Sequence, residues 1–288
     1  HGNSSLVGRL TALPVGVERN GVKSISTPQL FRPFHDGLSE AELLQKHLDE
    51  LEATIASFAE QGGFAGIMLC SILANEGLPN PPARWFAEAT AMVADAGGLV
   101  IADEVQAGFA RSGSWWGYET SDFTPDVVCM GKPMGNGFPL SAMAASHEMV
   151  TKFRERHRYF NTFASSPLQA AAGSAVIDEI VDRGLVRQVA EVGSRLKAAL
   201  TELQSQHPQM GDVRGTGLFI GIDWVEPGTN NPDVGGVQRM VESLKSRFVL
   251  LGKAGQHGNV LKIRPPLVFE DQHAELFLEA FKDSLNNA

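Results

Sequence analysis

Short apolar runs bounded by glycine or proline alternate along this chain with longer segments in which apolar residues recur every three or four positions. The runs 64–69 (FAGIML), 98–103 (GLVIAD) and 125–130 (PDVVCM) are typical of buried strands. The segments 40–60 and 81–97 have helical spacing, and the second begins on a proline pair. This alternation predicts a mostly parallel sheet with crossover helices.

The first of these helices has a clear start signal. Ser39 is followed three residues later by Glu42, the spacing of a capping box, in which each residue satisfies a backbone N–H of the other. Gly62 and Gly63 end the helical pattern. We therefore expect a helix between Ser39 and this glycine pair.

The pattern changes after a further short strand at 139–146 (PLSAMAAS). Two helical stretches, a strand-like segment, a helix, a strand and a final helix follow, at 167–184, 185–206, 213–225, near 234–247, 259–266 and 270–285. We predict an α/β fold in two parts. A mostly parallel sheet with helices on both faces occupies a large domain over 1–183, which includes an interdomain helix, and a smaller α+β domain occupies 184–288.

Composition and charge narrow the class of protein. The chain has 288 residues, 43% of them hydrophobic, and a net charge of −9, which disfavours a nucleic-acid binder. No apolar run approaches the about 18–20 residues of a membrane helix. Cys70 and Cys129 lie in apolar strand-like runs and are expected to be reduced. We predict a cytoplasmic protein with neither a membrane nor a nucleic-acid partner.

An acid and a lysine follow two of the predicted parallel strands. Asp103 ends the run 98–103, and Lys132 comes just after 125–130, between Gly131 and Pro133. Ligands of open α/β sheets bind at the carboxyl ends of the strands, so both side chains are expected at one crevice. Spacing alone leaves two readings equally open, a structural ion pair or a reactive site. The glycine-rich turn around the lysine favours imine formation. Imine chemistry with pyridoxal phosphate also needs a carboxylate beside the ring nitrogen of the cofactor, to keep that nitrogen protonated.

The segment 99–140 (LVIADEVQAGFARSGSWWGYETSDFTPDVVCMGKPMGNGFPL) resembles the signature of the class III pyridoxal-phosphate aminotransferase family, of fold type I. The resemblance extends over nearly the whole chain, from 1–5 (HGNSS) to 261–269 (LKIRPPLVF). The latter segment is similar to that of the family's ethanolamine-phosphate-type phospholyases. The resemblance implies an aspartate-aminotransferase-like large domain that binds pyridoxal 5'-phosphate, and a homodimer with shared active sites.

The resemblance also assigns site residues. It implies that Lys132 is the Schiff-base lysine and that Asp103 is the carboxylate at the cofactor's ring nitrogen. Four further positions match cofactor-binding residues of the family: Gln106 near the ring hydroxyl, Thr162 at the phosphate of the partner subunit's cofactor, and the His-Gly pair His1 and Gly2. Arg264 matches the arginine that grips a substrate carboxylate. No metal ligands are expected.

Two departures from the family pattern are visible. The family's cofactor-phosphate loop and its stacking aromatic lie upstream of the His-Gly pair, so we expect the native polypeptide to extend before His1. In addition, Cys70 and Ser71 stand where many members that use a dicarboxylate acceptor have an acid followed by proline. This departure puts the usual dual-substrate arrangement in question.

The sequence leaves the reaction open. Proton removal from a small amine by Lys132 leads either to transamination, with pyruvate or 2-oxoglutarate as acceptor, or to elimination of phosphate and ammonia from a phosphoethanolamine-like substrate. The C-terminal segment gives a slight preference for elimination. Arg264, Lys262 and His147 are candidates for a substrate-phosphate pocket. An alternative of another class is an inactive homologue or a fragment.

Overall fold

The computed structural model of the chain describes residues 18–19, 21–59, 62–162, 164 and 166–287. Two short strands, β1 (Glu18–Arg19) and β2 (Val22–Lys23), form an antiparallel pair at the start of the described region. The predicted positions His1 and Gly2 lie outside the described residues.

The first large sheet has four strands, β3 (Gly66–Cys70), β4 (Leu99–Asp103), β5 (Val127–Met130) and β6 (Ala142–Ala145), in that spatial order. Strands β3, β4 and β5 are parallel, and β6 pairs antiparallel with β5 at the edge. The predicted mostly parallel sheet is therefore confirmed.

Helices connect and cover these strands. They are α1 (Glu40–Ala56), α2 (Trp85–Asp95), α3 (His147–Arg156) and α4 (Pro167–Asp182). The capping box predicted for α1 is present, with the Ser39 N–H donating to Glu42 Oε2 at 2.8 Å and the Glu42 N–H donating to Ser39 Oγ at 3.4 Å.

The second sheet is antiparallel throughout. Its strands are β7 (Met210–Thr216), β8 (Phe219–Trp224), β9 (Gly252–Ala254) and β10 (Val260–Ile263), in the order β7-β8-β10-β9. Three helices accompany it, α5 (Leu185–Gln204), α6 (Val234–Ser246) and α7 (Asp271–Asn287). The helices predicted for the last third of the chain are thus confirmed.

Each sheet has its own apolar core. Residues of α1, α2, β3 and β4 pack together around Leu51, Trp85 and Val100. A separate cluster from α5, α6, α7 and the second sheet surrounds Ile222 and Phe281, both fully buried. This separation agrees with the predicted two-part organisation, although the boundary between 183 and 184 stays a prediction.

Two element predictions were wrong in detail. Helix α2 begins at Trp85 and not at the proline pair, because Arg84 at its N-cap has a left-handed backbone with φ of 66°. The segment predicted as one strand over 213–225 is a hairpin that turns at Gly217, whose φ is 55°. A Cβ at Gly217 would lie 2.6 Å from the Arg111 carbonyl oxygen, so this turn requires glycine.

No helix among the described residues is long and apolar enough to cross a membrane.

Candidate active site

The acid and the lysine predicted from the sequence lie on neighbouring parallel strands. Asp103 is the last residue of β4, and its Cα is paired with that of Cys129 on β5. Lys132 follows the end of β5 and opens a short 3₁₀ turn, Lys132–Gly135. Both residues are therefore at the carboxyl edge of the first sheet, where open α/β sheets bind ligands.

Neither charge is used in a structural ion pair with a residue that the structure describes. The Asp103 carboxylate accepts a hydrogen bond from the Val105 N–H at 3.1 Å. Lys132 is exposed and has a φ of 39°, a left-handed backbone that costs on the order of 1–3 kcal/mol in a residue other than glycine. Of the two readings left open by the sequence, this arrangement favours the reactive site over a structural pair.

Two thiols flank Asp103 in the sheet. Cys70 on β3 and Cys129 on β5 are both register partners of Asp103, and both are free. Burial raises the pKa of the Cys70 thiol to about 12 and also raises that of Cys129. The thiols therefore stay neutral near pH 7. An acid at position 70 would place a second carboxylate beside Asp103.

Gln106 joins residues that are far apart in the sequence. Its Nε2 donates to Asn75 Oδ1 at 3.0 Å, and its Oε1 accepts from Lys262 Nζ and from Arg264 Nη1, each at 3.0 Å. Both cations lie over the Phe219 ring, at 5.2 and 5.8 Å from its centroid. We call Gln106, Asn75, Lys262 and Arg264 the Gln106 cluster.

The Gln106 cluster is electropositive. Burial lowers the pKa of Lys262, and the charges of Arg264 and Lys132 lower it further. Burial and then the Arg264 charge lower the pKa of Arg111 to about 10, and Arg111 donates to the carbonyl oxygens of Leu218 and Pro265. Cations held close together in a partly buried site attract an anionic ligand.

Glu104 has a structural task in this region. It is fully buried and accepts hydrogen bonds from the Gly117 N–H at 2.7 Å, the Tyr118 N–H at 3.0 Å and the Ser71 hydroxyl. These bonds connect the segment that follows β4 to the end of β3 and to the turn at Gly117. Glu104 thereby fixes the loop that carries Gln106.

Sequence reasoning missed Asn75 and Glu76. Both lie on the loop between β3 and α2, in a stretch without regular periodicity. Asn75 reaches Gln106, and the Glu76 carboxylate interacts electrostatically with Lys262. The position of this loop directly after a parallel strand was the available signal, because such loops form the rim of α/β ligand sites.

Two predicted residues are not part of the Gln106 cluster. Thr162 is exposed on the loop before α4. His147 is exposed at the start of α3, where its Nε2 lies 3.5 Å from Thr151 Oγ1. Neither forms a hydrogen bond or ion pair with the cluster among the described residues.

A cleft of about 530 Å³ lies elsewhere, between the α4–α5 junction and the start of α7, and is lined by Arg187, Arg195 and Asp271 among others.

Comparison with known proteins places this geometry in a family. The model of the class III aminotransferases matches residues 11–285. The chain belongs to this family. Alanine–glyoxylate aminotransferase 2 homolog 2 of Arabidopsis thaliana, a mitochondrial protein, is 35% identical over 99% of this chain and 59% of its own length. Ethanolamine-phosphate phospho-lyase homolog 1 of Caenorhabditis elegans is 39% identical over 85% of this chain and 56% of its own length.

A solved structure agrees with both fold and family. A phospholyase from Arthrobacter, in complex with phosphoethanolamine, superposes with a TM-score of 0.90 at 35% identity. The match covers 96% of this chain and 66% of the phospholyase chain. The chain thus spans rather more than half the length of the two curated relatives above.

The family uses pyridoxal phosphate, and residues described here fit that cofactor. It requires an amine for attachment and a carboxylate for its ring nitrogen. Lys132, just after β5, and Asp103, at the end of β4, are an amine and a carboxylate at the same edge of the sheet, and neither has an ion-pair partner within the described part of the chain.

Proposed function

We propose that this chain belongs to a pyridoxal-phosphate enzyme that eliminates phosphate and ammonia from a small phosphorylated amine. The pair of cations formed by Lys262 and Arg264, both held by Gln106 Oε1 at 3.0 Å, is the observation that carries the proposal. Two positive charges suit a phosphate monoester, which carries about −1.5 to −2 charges at pH 7. We call this pair the anion subsite.

The names of two relatives support the same reaction. One is an ethanolamine-phosphate phospho-lyase homolog, and the other is a phospholyase in complex with phosphoethanolamine. Similarity at 35–39% identity makes phosphoethanolamine the first substrate to test.

Each residue of the site then has a defined task. The Lys132 amine would hold the cofactor and would act as the base that removes the proton from the substrate Cα. Asp103 keeps the ring nitrogen protonated. Pyridoxal phosphate, when bound, withdraws the electrons left at Cα. Lys262 and Arg264 bind the substrate's phosphate, and Gln106 holds their side chains in position.

The overall reaction balances with water as the second reactant. The Cα–H bond breaks first, and the bond between Cβ and the phosphate oxygen then breaks with its electron pair leaving on phosphate. A proton is returned to Cβ in place of the one removed from Cα, and water then replaces the nitrogen at Cα to give an aldehyde and ammonia. No keto acid is consumed, which separates this reaction from transamination.

Transamination is the second candidate. Arg264 alone provides the planar, two-pronged donor suited to a carboxylate, and one relative is an alanine–glyoxylate aminotransferase homolog. In this reaction no leaving group would depart, and Lys132 would return the proton that it had removed. An acceptor such as pyruvate or 2-oxoglutarate would be required.

Assembly and location are also proposals. The family resemblance implies a homodimer in which Thr162 reaches the partner's cofactor phosphate, and the exposure of Thr162 and of nearby Tyr159 and Phe160 is compatible with a partner at this surface. A cytoplasmic location stays a prediction, since one relative is mitochondrial.

The test uses the complete native polypeptide loaded with pyridoxal phosphate. It is incubated with ethanolamine phosphate in the absence of any keto acid, and inorganic phosphate and ammonia are assayed together. Equal release of both supports the lyase. Conversion of an amine only after addition of pyruvate or 2-oxoglutarate would identify a transaminase instead, and no turnover under either condition would favour an inactive homologue. Lys152→Ala, on the surface of α3, is the matched control for Lys132→Ala.

A further inference from the structure

Glu76 is held beside the anion subsite by the backbone on both sides of it. The Asn75 carbonyl accepts from the Gly255 N–H at 3.1 Å, and the Gly77 carbonyl accepts from Arg214 Nε at 2.9 Å. The Asn75 side chain in addition accepts from Gln106. Contacts from the second sheet thus fix the position of this loop.

One oxygen of the Glu76 carboxyl lacks a partner. Glu76 Oε2 is buried and forms no hydrogen bond with any residue that the structure describes. A buried polar atom without a partner costs on the order of 1–3 kcal/mol, so a ligand that satisfies it gains this energy. Because the neighbouring Lys262 belongs to the anion subsite, the missing partner is expected to be part of the substrate.

Charges of both signs face Glu76. The Lys262 ammonium attracts its ionised form, whereas the Asp103 carboxylate opposes it, and the Cys70 thiol lies in the same region. Burial is the largest influence and raises the pKa of Glu76, whereas backbone hydrogen bonds from Glu76 and Asn75 to the carboxylate lower this pKa and offset part of the rise. Lys262 is itself faced by Arg264 and Lys132.

The charge of Glu76 changes which anion the subsite suits. With Glu76 ionised, Lys262, Arg264 and Glu76 together carry one net positive charge, which matches a carboxylate. With Glu76 protonated they carry two, which matches a phosphate dianion, and the carboxyl O–H becomes a donor to a phosphate oxygen. A bound dianion therefore favours uptake of a proton by Glu76.

We propose that Glu76 is a specificity-determining residue. By taking up one proton when a dianion binds, it changes the anion that the subsite prefers from a monoanion to a dianion. The inference rests on the proposed function, because it takes Lys262 and Arg264 as the groups that bind the substrate's phosphate.

The test measures anion binding and not turnover. Sulfate and methanesulfonate are a dianion and a monoanion that do not titrate between pH 5.5 and 8, so changes in affinity report on the protein. Binding of each to the complete holoenzyme is measured by calorimetry at both pH values. The variant is Glu76→Gln, which imitates the neutral carboxyl, and the matched control is Glu52→Gln on the exposed surface of α1.

We expect wild-type affinity for sulfate to fall about fivefold from pH 5.5 to pH 8, and affinity for methanesulfonate to fall about twofold, because a single nearby charge acts twice as strongly on a dianion. Glu76→Gln is expected to keep the tighter sulfate affinity at both pH values, and Glu52→Gln to behave as wild type. The same pH dependence in Glu76→Gln as in wild type would assign the titration to Lys262 and overturn the proposal.

A second measurement covers the case in which Glu76→Gln does not fold. Sulfate binding to the wild type in two buffers of different ionisation enthalpy gives the number of protons taken up, which is expected to reach about 0.4 at its maximum, because linkage ties the uptake to the fivefold change in affinity. No uptake would overturn the proposal. Failure of phosphate and ammonia release, with these sulfate results intact, would instead reject the lyase reaction while leaving the role of Glu76.

Discussion

Asp223 and Arg214 in the second sheet have 1% and 2% of their side chains exposed, and their charges are fully paired. Asp223 accepts from Arg214 Nη2 at 2.8 Å, from Asn259 Nδ2 at 2.6 Å and from the Arg32 guanidinium. Arg214 also donates to Asp212 Oδ2 at 2.9 Å. This network joins the strands of the second sheet to segments that precede the first sheet.

At the edge of the first sheet, Asp103 at the end of β4 and Lys132 just after β5 have no ion-pair partner among the described residues. The comparison separates two uses of charge. A buried charge that holds the fold together has to be paired and hydrogen-bonded, whereas a charge that takes part in chemistry has to remain accessible to a ligand. The two regions should accordingly respond differently to mutation.

The largest expected effect is that of Lys132→Ala on turnover. Because the amine both holds the cofactor and moves the Cα proton, we expect activity to fall by at least about 10³-fold. The free energy of unfolding should change by less than about 1 kcal/mol, since the side chain is exposed. Steady-state assays and urea unfolding measure the two quantities. Residual activity above a tenth of wild type would remove Lys132 from the mechanism.

Asp223→Asn tests the opposite region. Asp223 is the buried carboxylate that Arg214 and Arg32 share, and without its charge Arg214 keeps only the less buried Asp212 as a partner, so we expect a loss of about 3–5 kcal/mol in the free energy of unfolding. The matched control is Asp271→Asn, whose partner Arg195 and own side chain are 54% and 60% exposed, with an expected loss below about 1 kcal/mol. Equal losses in both variants would contradict the distinction drawn here.

His47 is a buried titratable group that is neither paired nor placed at the candidate site. It is 2% exposed, both ring nitrogens lack hydrogen bonds to the described part of the chain, and burial lowers its pKa to about 4 from 6.5. The folded state therefore binds fewer protons than the unfolded state, and stability falls as the pH drops below 6.5. We expect His47 to cost about 2 kcal/mol of stability between pH 7 and pH 5.

His47→Leu is the variant that checks this value. Urea unfolding at both pH values should show a smaller loss for the variant than for wild type, by about the same 2 kcal/mol. Parallel losses in the two proteins would mean that His47 is protonated in the folded state.

Gln106→Leu is expected to have the smallest effect. Without Oε1, Lys262 and Arg264 lose their common acceptor, and KM for a phosphorylated amine should rise about tenfold, with kcat within about threefold of wild type. Gln45→Leu, which removes an exposed hydrogen bond to Asp49, is the control. A fall in kcat at unchanged KM would instead assign Gln106 to the cofactor.

Local pattern predicted a large part of the fold. The capping box at Ser39, the strand that ends at Asp103 and the helix that begins at Pro167 each depend on residues within a few positions of one another. Asp103 and Lys132 could be predicted because consecutive parallel strands place their ends at the same edge of a sheet.

Contacts between distant segments could not be predicted. Gln106 and Lys262 are separated by 156 positions, and Asp223 and Arg32 by 191. Such pairs depend on how the second sheet packs against the first, and the hydrophobic pattern of the sequence does not indicate this packing. The turn at Gly217 was missed for a similar reason, because the backbone of Arg111 and Ser112 is what excludes a side chain there.

The central claim, that Lys132 is the lysine that binds the cofactor, is tested most directly by chemical labelling. The complete protein is loaded with pyridoxal phosphate and reduced with borohydride, and the modified lysine is identified by peptide mass spectrometry. We expect the label on Lys132. Labelling of the neighbouring Lys262 in its place, or no labelled lysine, would contradict it.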